Sequence, residues 1–151
     1  CTTNTVDAGA VDLTKALLDS LVAEMATNGS IFSNPVIFCN VFQLQQISNV
    51  YGFAPTDRTV GGVAIQNIIM DVAGSVGVVY APIMPAATIL IADMSVVSPA
   101  FCLSGYNEKV AVSFTETGIT AAAQKGFFYT QVGLAYGPEE YHGTLTNLTT
   151  S

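Results

Sequence analysis

The sequence predicts an α+β domain, and three observations carry that prediction. The first is a stretch from Gly61 to Phe101 that holds no charged residue between Asp71 and Asp93. A run so apolar would suit a membrane helix, but Gly74, Gly77, Pro82 and Pro85 cut it into pieces too short to span. Its Val, Ile, Ala and Tyr side chains fit a pleated surface instead. The second observation is that Leu13, Leu17, Leu21 and Met25 recur at every fourth residue, with Leu18 and Val22 beside them. That is the stripe of a helix with one core face. The third is order: two helical patterns and about seven short apolar runs follow one another without regular alternation.

Taken in order, Cys1–Gly9 is polar and turn-like and reads as an irregular, mobile start. Asp12 is the expected cap of a helix reaching Asn28, with Gly29 as its stop. Asn34-Pro35 opens a short strand, Val36–Phe38. Asn40 then caps a second helix, Val41–Tyr51, closed by Gly52. Leu44, Ile47 and Tyr51 line its core side, while Gln43, Gln45 and Gln46 offer amides able to pair with backbone in a semi-buried contact. A loop from Ala54 to Arg58 leads into three buried strands, Val63–Asp71, Val76–Ala81 and Thr88–Ala92. The first two join through Ala73-Gly74-Ser75, whose glycine supplies the positive φ of a tight reversal. Hydrophobicity that is continuous rather than alternating calls for cover on both faces, from this chain or from another subunit.

Beyond them, Phe101–Asn107 reads as a loop and Lys109–Phe114 as a strand with Val110, Val112 and Phe114 on one side. Thr115–Gly118 is a hairpin candidate, and alanine-rich Ile119–Gly126 a short helix or loop. Phe127–Tyr136 is a strand interrupted at Gly133 by a bulge or a close backbone approach. Gly137–Glu140 turns the chain into Tyr141–Leu145, and a Thr-rich polar tail follows.

A chain of 151 residues holds one core. Charged residues are 10% of it, against about 25% in an average domain. Lys15, Arg58, Lys109 and Lys125 are the only strong cations, and half of the residues are hydrophobic. Such a chain either presents a Ser/Thr/Asn surface or buries much of its exterior against other subunits. The abundance of Ile, Val, Met and Phe favours the second. A net charge of −7 speaks against specific nucleic-acid binding through phosphates and against anionic membrane surfaces. Cys1, Cys39 and Cys102 have no metal-binding spacing and read as buried thiols, with a Cys39–Cys102 bridge as the alternative. The start at Cys1 rather than Met points to a longer precursor, and no signal or transit segment is visible.

Chemistry-bearing patterns are sparse. The single histidine, His142, lies near Glu139 and Glu140, which could form an acid–base couple. No motif places a nucleophile beside it, so the bland expectation is a histidine at the start of a strand. Gly74-Ser75-Val76-Gly77 lacks the order of a nucleophile elbow, and Gly61-Gly62 precedes a strand rather than opening a phosphate-binding helix. Asp71 and Asp93 end apolar strands. Two carboxylates make a poor cation site, and such acids commonly accept turn N–H bonds. No catalytic, cofactor-binding or metal-binding residue is therefore assigned, and the chain is not expected to be an enzyme or to need a cofactor. Asn28-Gly29-Ser30 and Asn147-Leu148-Thr149 match the glycosylation sequon. Tyr80, Tyr106, Tyr129, Tyr136 and Tyr141 are candidate interface anchors.

Four segments together carry a resemblance. They are the turn Asp71-Val72-Ala73-Gly74, the run Val78-Val79-Tyr80-Ala81-Pro82-Ile83-Met84-Pro85, the run Ile89-Leu90-Ile91-Ala92-Asp93, and the closing stretch from Gln131 to His142-Gly143. In this succession the chain resembles the carboxyl-terminal part of tailed-bacteriophage major capsid proteins. The closing stretch departs from the pattern of that branch, with Gln131 where an acid stands and Pro138-Glu139-Glu140-Tyr141-His142-Gly143 where Asn-Glu-x-Ala-His-Gly stands. The resemblance implies a truncated HK97-type fold, a mixed sheet with flanking helices. The family's amino-terminal arm, extended loop and spine helix have no counterpart in these residues. It further implies that 35–123 form an axial-type domain and that 1–34 with 124–151 form part of a peripheral-type domain. Phe101–Asn107 and Thr115–Ala123 would be loops at the symmetry axis. The implied partners are copies of the chain in pentamers and hexamers, within a phage or prophage virion and in the host cytoplasm before assembly. The alternatives are an encapsulin-like nanocompartment subunit, which shares the fold, or a secreted or surface binding module without catalytic activity.

Overall fold

The computed structural model describes residues 3–51, 58–60, 63–101, 113–120 and 123–150. The chain forms two compact units, Cys1–Val96 with Gly137–Ser151, and Val97–Tyr136. The first holds β1 (Thr5–Val11), α1 (Lys15–Thr27), β2 (Pro35–Cys39), α2 (Val41–Tyr51), β3 (Arg58–Val60), β4 (Val63–Met70), β5 (Gly74–Tyr80) and β6 (Ile89–Asp93). The second holds β7 (Ser98–Phe101), β8 (Ser113–Thr120), β9 (Ala123–Tyr129) and β10 (Val132–Ala135), after which β11 (His142–Leu148) completes the first.

One mixed sheet organises the first unit, in the order β1-β11-β6-β2-β5-β4-β3. Two pairings, β1 with β11 and β2 with β5, are parallel, and the remaining ones are antiparallel. The three-residue β3 meets β4 only over Val63–Ile65, whereas β5 meets it over Gln66–Met70. The continuous sheet is therefore six strands wide, and β3 extends one end of its last strand.

The register puts Ile37, Val78, Ile89, Ile91 and Leu145 on one face, and all of them are buried. Leu18, Leu21, Val22 and Met25 of α1 and Ile47 of α2 join the same cluster. Each such side chain contributes roughly 1.5–3 kcal/mol when fully buried. The helix stripe read from the sequence is thus the core face of α1. Leu44 and Tyr51 pack against the cluster as expected, and Lys15 of α1 sits 6.0 Å from the Tyr51 ring centroid. Burial, followed by the carboxylates of Asp19 and Asp71, pushes the Tyr51 phenol up to about 12. Of the three glutamines, Gln43 is fully buried, and its Nε2 donates to the carbonyls of Ala86 at 2.8 Å and Thr149 at 2.9 Å. Asn40 precedes α2 as expected: its carbonyl accepts from Leu44 N–H, and its side-chain amide donates to the Met84 carbonyl.

Several expectations are corrected. Thr14, not Asp12, caps α1, its hydroxyl accepting from Leu17 N–H at 3.4 Å. Leu13 is only 4% exposed; it and Leu18 stand where a hydrophobic staple fixes the helix approach, which moves the cap past Asp12. Cys1–Gly9 is not irregular over its described residues: Thr5–Val11 is the parallel edge strand, with Val6 opposite Leu145. Gly9 and Ala10, with φ of 70° and 58°, shift its register rather than ending it. Thr146–Leu148, the start of the expected Thr-rich tail, belongs instead to β11, which is paired on both edges and has Leu145 and Leu148 buried.

Both of these strands are stabilised by partners far away in the chain, which local composition does not reveal. Thr115–Gly118 lies within one strand of an antiparallel pair rather than at a turn, and the described residues of Ile119–Gly126 are strand rather than helix or loop. Ser113–Thr120 pairs with Ala123–Tyr129, and the register slips between Glu116 and Gly118. The expected break at Gly133 falls instead at Thr130-Gln131, between β9 and β10. Eleven strands, not about seven, occur among the described residues. Gly52, the Ala54–Asp57 loop, residues 102–107, Lys109, Val110 and Val112 lie outside the described residues.

Two contacts hold the layers in place. At Gly143, an added Cβ would stand 2.5 Å from Met25 Sδ and 3.1 Å from Leu21 Cδ1. A glycine there lets α1 lie directly on β11. Asp93, 1% exposed, clasps two turns. Its carboxylate accepts from the N–H groups of Ser33 at 2.8 Å, Asn34 at 3.1 Å and Ser95 at 2.9 Å. Burial pushes this carboxyl up, but the Ser95 side chain and the N–H groups of Ser95, Ser33 and Asn34 outweigh it and hold it below its ordinary value.

Gly143→Ala is expected to destabilise the fold by about 1–3 kcal/mol through overpacking, measured by urea unfolding. Combining it with Met25→Ala should cost less than the sum of the two single changes, because the added methyl then occupies the vacated space. For Asp93, a folded pKa below the unfolded one contributes stability that is present above about pH 4 and is lost as pH falls toward the folded value. Asp93→Asn should lower Tm at pH 7 and flatten its decline on acidification; an unchanged Tm–pH curve would contradict the clasp.

Candidate functional site

Apolar surface, rather than a cleft, is the feature that stands out. The helix-free face of the sheet carries Phe38 in register with both Leu90 and Val79, and none of the three is fully buried. On the same face Ile69, flanked by buried Ile68 and Met70, is 80% exposed. Ile83, in the loop between β5 and β6, is 96% exposed. The expectation of cover on both faces thus meets a sheet that its helices cover on one.

The second unit carries the same feature in a simpler form. In the β7–β10 ribbon, Phe101 is opposite Val132 and Pro99 opposite Leu134. Residues directly opposite share a face, so these four make one apolar stripe, while Ala100, Gly133, Ser98 and Ala135 occupy the other side. Every residue of both strands is exposed, Leu134 to 66%. A two-stranded ribbon is marginal in water unless something packs on it. Alternation of Val132 and Leu134 with Gly133 and Ala135 was the available sequence signal, but it lay within a longer apparent strand.

Chemical candidates do not assemble into a reaction centre among the described residues. His142 begins β11 opposite Ala92, as a histidine at a strand start, and is 7% exposed. The acids before it face other groups: Glu139 Oε1 accepts from Thr3 N–H, and the Glu140 carbonyl accepts from Asn4 Nδ2. Asp93 is committed to its turns, and Asp71 lies in the β4–β5 turn. Gly74 opens β5 with the expected positive φ, 69°. No group of three or more potential metal ligands occurs among the described residues, and no helix among them is long and apolar enough to cross a membrane.

Cys39 is a buried free thiol, and burial pushes its pKa up to about 11; Cys102, the other half of the alternative bridge, lies outside the described residues. Of the candidate anchors, Tyr80 and Tyr136 are about half exposed, at 49% and 54%, and Tyr141 is half-buried. Tyr106 lies outside the described residues, as does the side chain of Tyr129. The sequon asparagines are both engaged, Asn28 Nδ2 with Asn4 Oδ1 at 2.6 Å and Asn147 Nδ2 with Asp7 Oδ1 at 3.0 Å.

Comparison with known proteins fits a surface-driven role. Among solved structures, the fold matches a protein of Mycobacterium phage Patience at a TM-score of 0.66 and 12% identity, over 98% of this chain and 46% of that one. It also matches the encapsulin of the holo-SrpI complex from Synechococcus elongatus PCC 7942 at a TM-score of 0.60 and 15% identity, over 100% of this chain and 55% of that one. The chain spans about half the length of each. The fold is the HK97 type, as the resemblance implied. No protein with a curated description matches the sequence. A family model for the SU10 major capsid protein runs over residues 1–149, nearly the whole sequence, and by that match the chain belongs to the SU10 major capsid protein family.

Proposed function

We propose that this chain is a structural subunit of a phage or prophage capsid shell and works by packing against copies of itself. The observation that carries the reading is the pairing of capsid-family membership with large apolar side chains left exposed in a charge-poor protein. Ile69, Ile83, Phe101, Val132 and Leu134 are each about half exposed or more. Their burial between neighbours supplies the driving force of assembly. The role is structural and not enzymatic. The virion is its destination and the host cytoplasm its location beforehand. Its partners are other copies in pentamers and hexamers, without specific nucleic-acid binding, in keeping with its negative net charge.

The division into an axial-type domain, 35–123, and a peripheral-type portion, 1–34 with 124–151, belongs to this proposal, as do Phe101–Asn107 and Thr115–Ala123 as segments near the symmetry axis. The observed compact units divide elsewhere, after Val96 and after Tyr136. One sheet moreover runs from β1 through β2 to β4. In physical terms the two named portions share a core.

A nanocompartment shell is the second reading, favoured by the encapsulin match. The neighbouring genes distinguish the two: portal, terminase and scaffold-protease genes accompany a phage shell, and a cargo enzyme accompanies a nanocompartment.

Light scattering on the concentrated protein is expected to reveal rings or larger assemblies, and a strict monomer at all concentrations would oppose the proposal. Leu134→Asp and Ile69→Asp should each reduce assembly sharply. Because the positions are exposed, monomer stability should move by no more than about 0.5 kcal/mol. Unchanged particle size in both variants would remove these side chains from the contacts.

A further inference from the structure

Asn28-Gly29 is the only Asn-Gly step in the sequence. Its surroundings tie the end of α1 to the start of the described chain. The helix ends in a Schellman motif: Ser30 N–H donates to the Met25 carbonyl at 2.9 Å, and Gly29 N–H to the Ala26 carbonyl at 3.1 Å. Gly29 takes the left-handed φ of 97° that the motif needs. The Asn28 side chain reaches Asn4, a residue with no exposed surface, and Nδ2 donates to Asn4 Oδ1 at 2.6 Å. The Asn4 amide cannot turn round. Its Nδ2 donates to the carbonyls of Glu140 at 2.8 Å and His142 at 2.9 Å, and an oxygen placed there would face two acceptors. The Asn4 carbonyl in turn accepts from Thr144 N–H at 2.8 Å.

From this geometry we infer that Asn28 is a latent deamidation site, which the clasp around Asn4 holds closed. In the open chain the Gly29 nitrogen, unhindered by a side chain, attacks Asn28 Cγ. The new C–N bond forms as the Cγ–Nδ2 bond breaks, and the displaced nitrogen leaves as ammonia with the proton given up by Gly29. Water then opens the cyclic imide at either carbonyl, to aspartate or isoaspartate, with no oxidant or reductant involved. In the folded chain the attacking nitrogen is engaged with Ala26, and the leaving nitrogen with Asn4. Asn28 is held at φ −85° and ψ 4°, a helix-end conformation that keeps the Gly29 nitrogen from approaching Cγ.

The product cannot rebuild the clasp. A carboxylate at position 28 offers no donor to Asn4 Oδ1 and sets acceptor against acceptor. Deamidation is thus a one-way chemical switch. It is slow while Asn4 is seated on β11, and once made it loosens that seat.

The test incubates the full chain at pH 8, folded and in urea, and follows Asn28 conversion by peptide mass spectrometry. Conversion in the folded chain should be at least about tenfold slower, since it proceeds only through local opening. Equal rates, with circular dichroism reporting a native fold, would overturn the inference. Asn4→Ala should bring the native-buffer rate toward the unfolded one, and a rate as slow as the parent's in a folded variant would also overturn it. Asn28→Asp, which mimics one product directly, should speed hydrogen exchange at Thr144 N–H while leaving the central Ile37 N–H unaffected. Thr144 protection equal to the parent's would refute the switch.

Discussion

The closing strand β11 is the constraint on which the rest of the first unit depends. It lies between β1, which it pairs in parallel, and β6, which it pairs antiparallel. While β6 is also held by β2 on its other edge, among the described residues β1 has no other partner in the sheet, so its place depends on β11. The inward side of β11 alternates Gly143 with Leu145, a gap followed by a knob. The gap admits Met25 and Leu21 of α1, and the knob is fully buried beneath them. Helix position, edge-strand pairing and sheet width are therefore set by the last residues of the chain. The whole second unit lies between β6 and this strand in sequence. Contacts of such sequence separation are made late in folding, because the intervening loop entropy is lost before any contact rewards it.

Around that strand, polar groups act as clasps between segments that burial alone would leave free to slide. Asp93 gathers the N–H groups of Ser33, Asn34 and Ser95. Gln43 holds the Ala86 loop and the residue after β11 together. Asn4 joins the start of β1 to the end of α1 and to β11. Each is nearly or wholly buried, where a lost partner costs far more than a surface hydrogen bond returns. Apolar burial supplies the stability, and these clasps specify the register.

The same chemistry explains why the exterior is so poorly charged. A sheet whose strands are apolar along their length needs cover on both faces, and the two helices contribute to the core on one. The exposed Ile69, and the Phe101–Val132 and Pro99–Leu134 pairs of the β7–β10 ribbon, are the remainder. Charge within such a remainder would oppose the close packing of identical neighbours proposed for this capsid-family chain.

Locally encoded features were legible in the residues. Leu18, Leu21 and Met25 announced the core face of α1. Gly74 announced the β4–β5 reversal, and the uncharged run announced the central strands of an α+β sheet. Capsid-like function was legible too, through the succession of Asp71–Gly74, Val78–Pro85 and Ile89–Asp93. What only the tertiary structure decided was the fate of segments with weak local preference. Thr5–Val11 and His142–Leu148 each contain a glycine and only two large apolar side chains, yet they pair side by side because each completes hydrogen bonds the other leaves open. Likewise Ser113–Thr120 and Ala123–Tyr129 become strands through their antiparallel pairing rather than through propensity. Helix stripes and tight turns depend on neighbours within a few residues. The pairing of distant strands depends on partners more than a hundred residues apart, and no local window contains them.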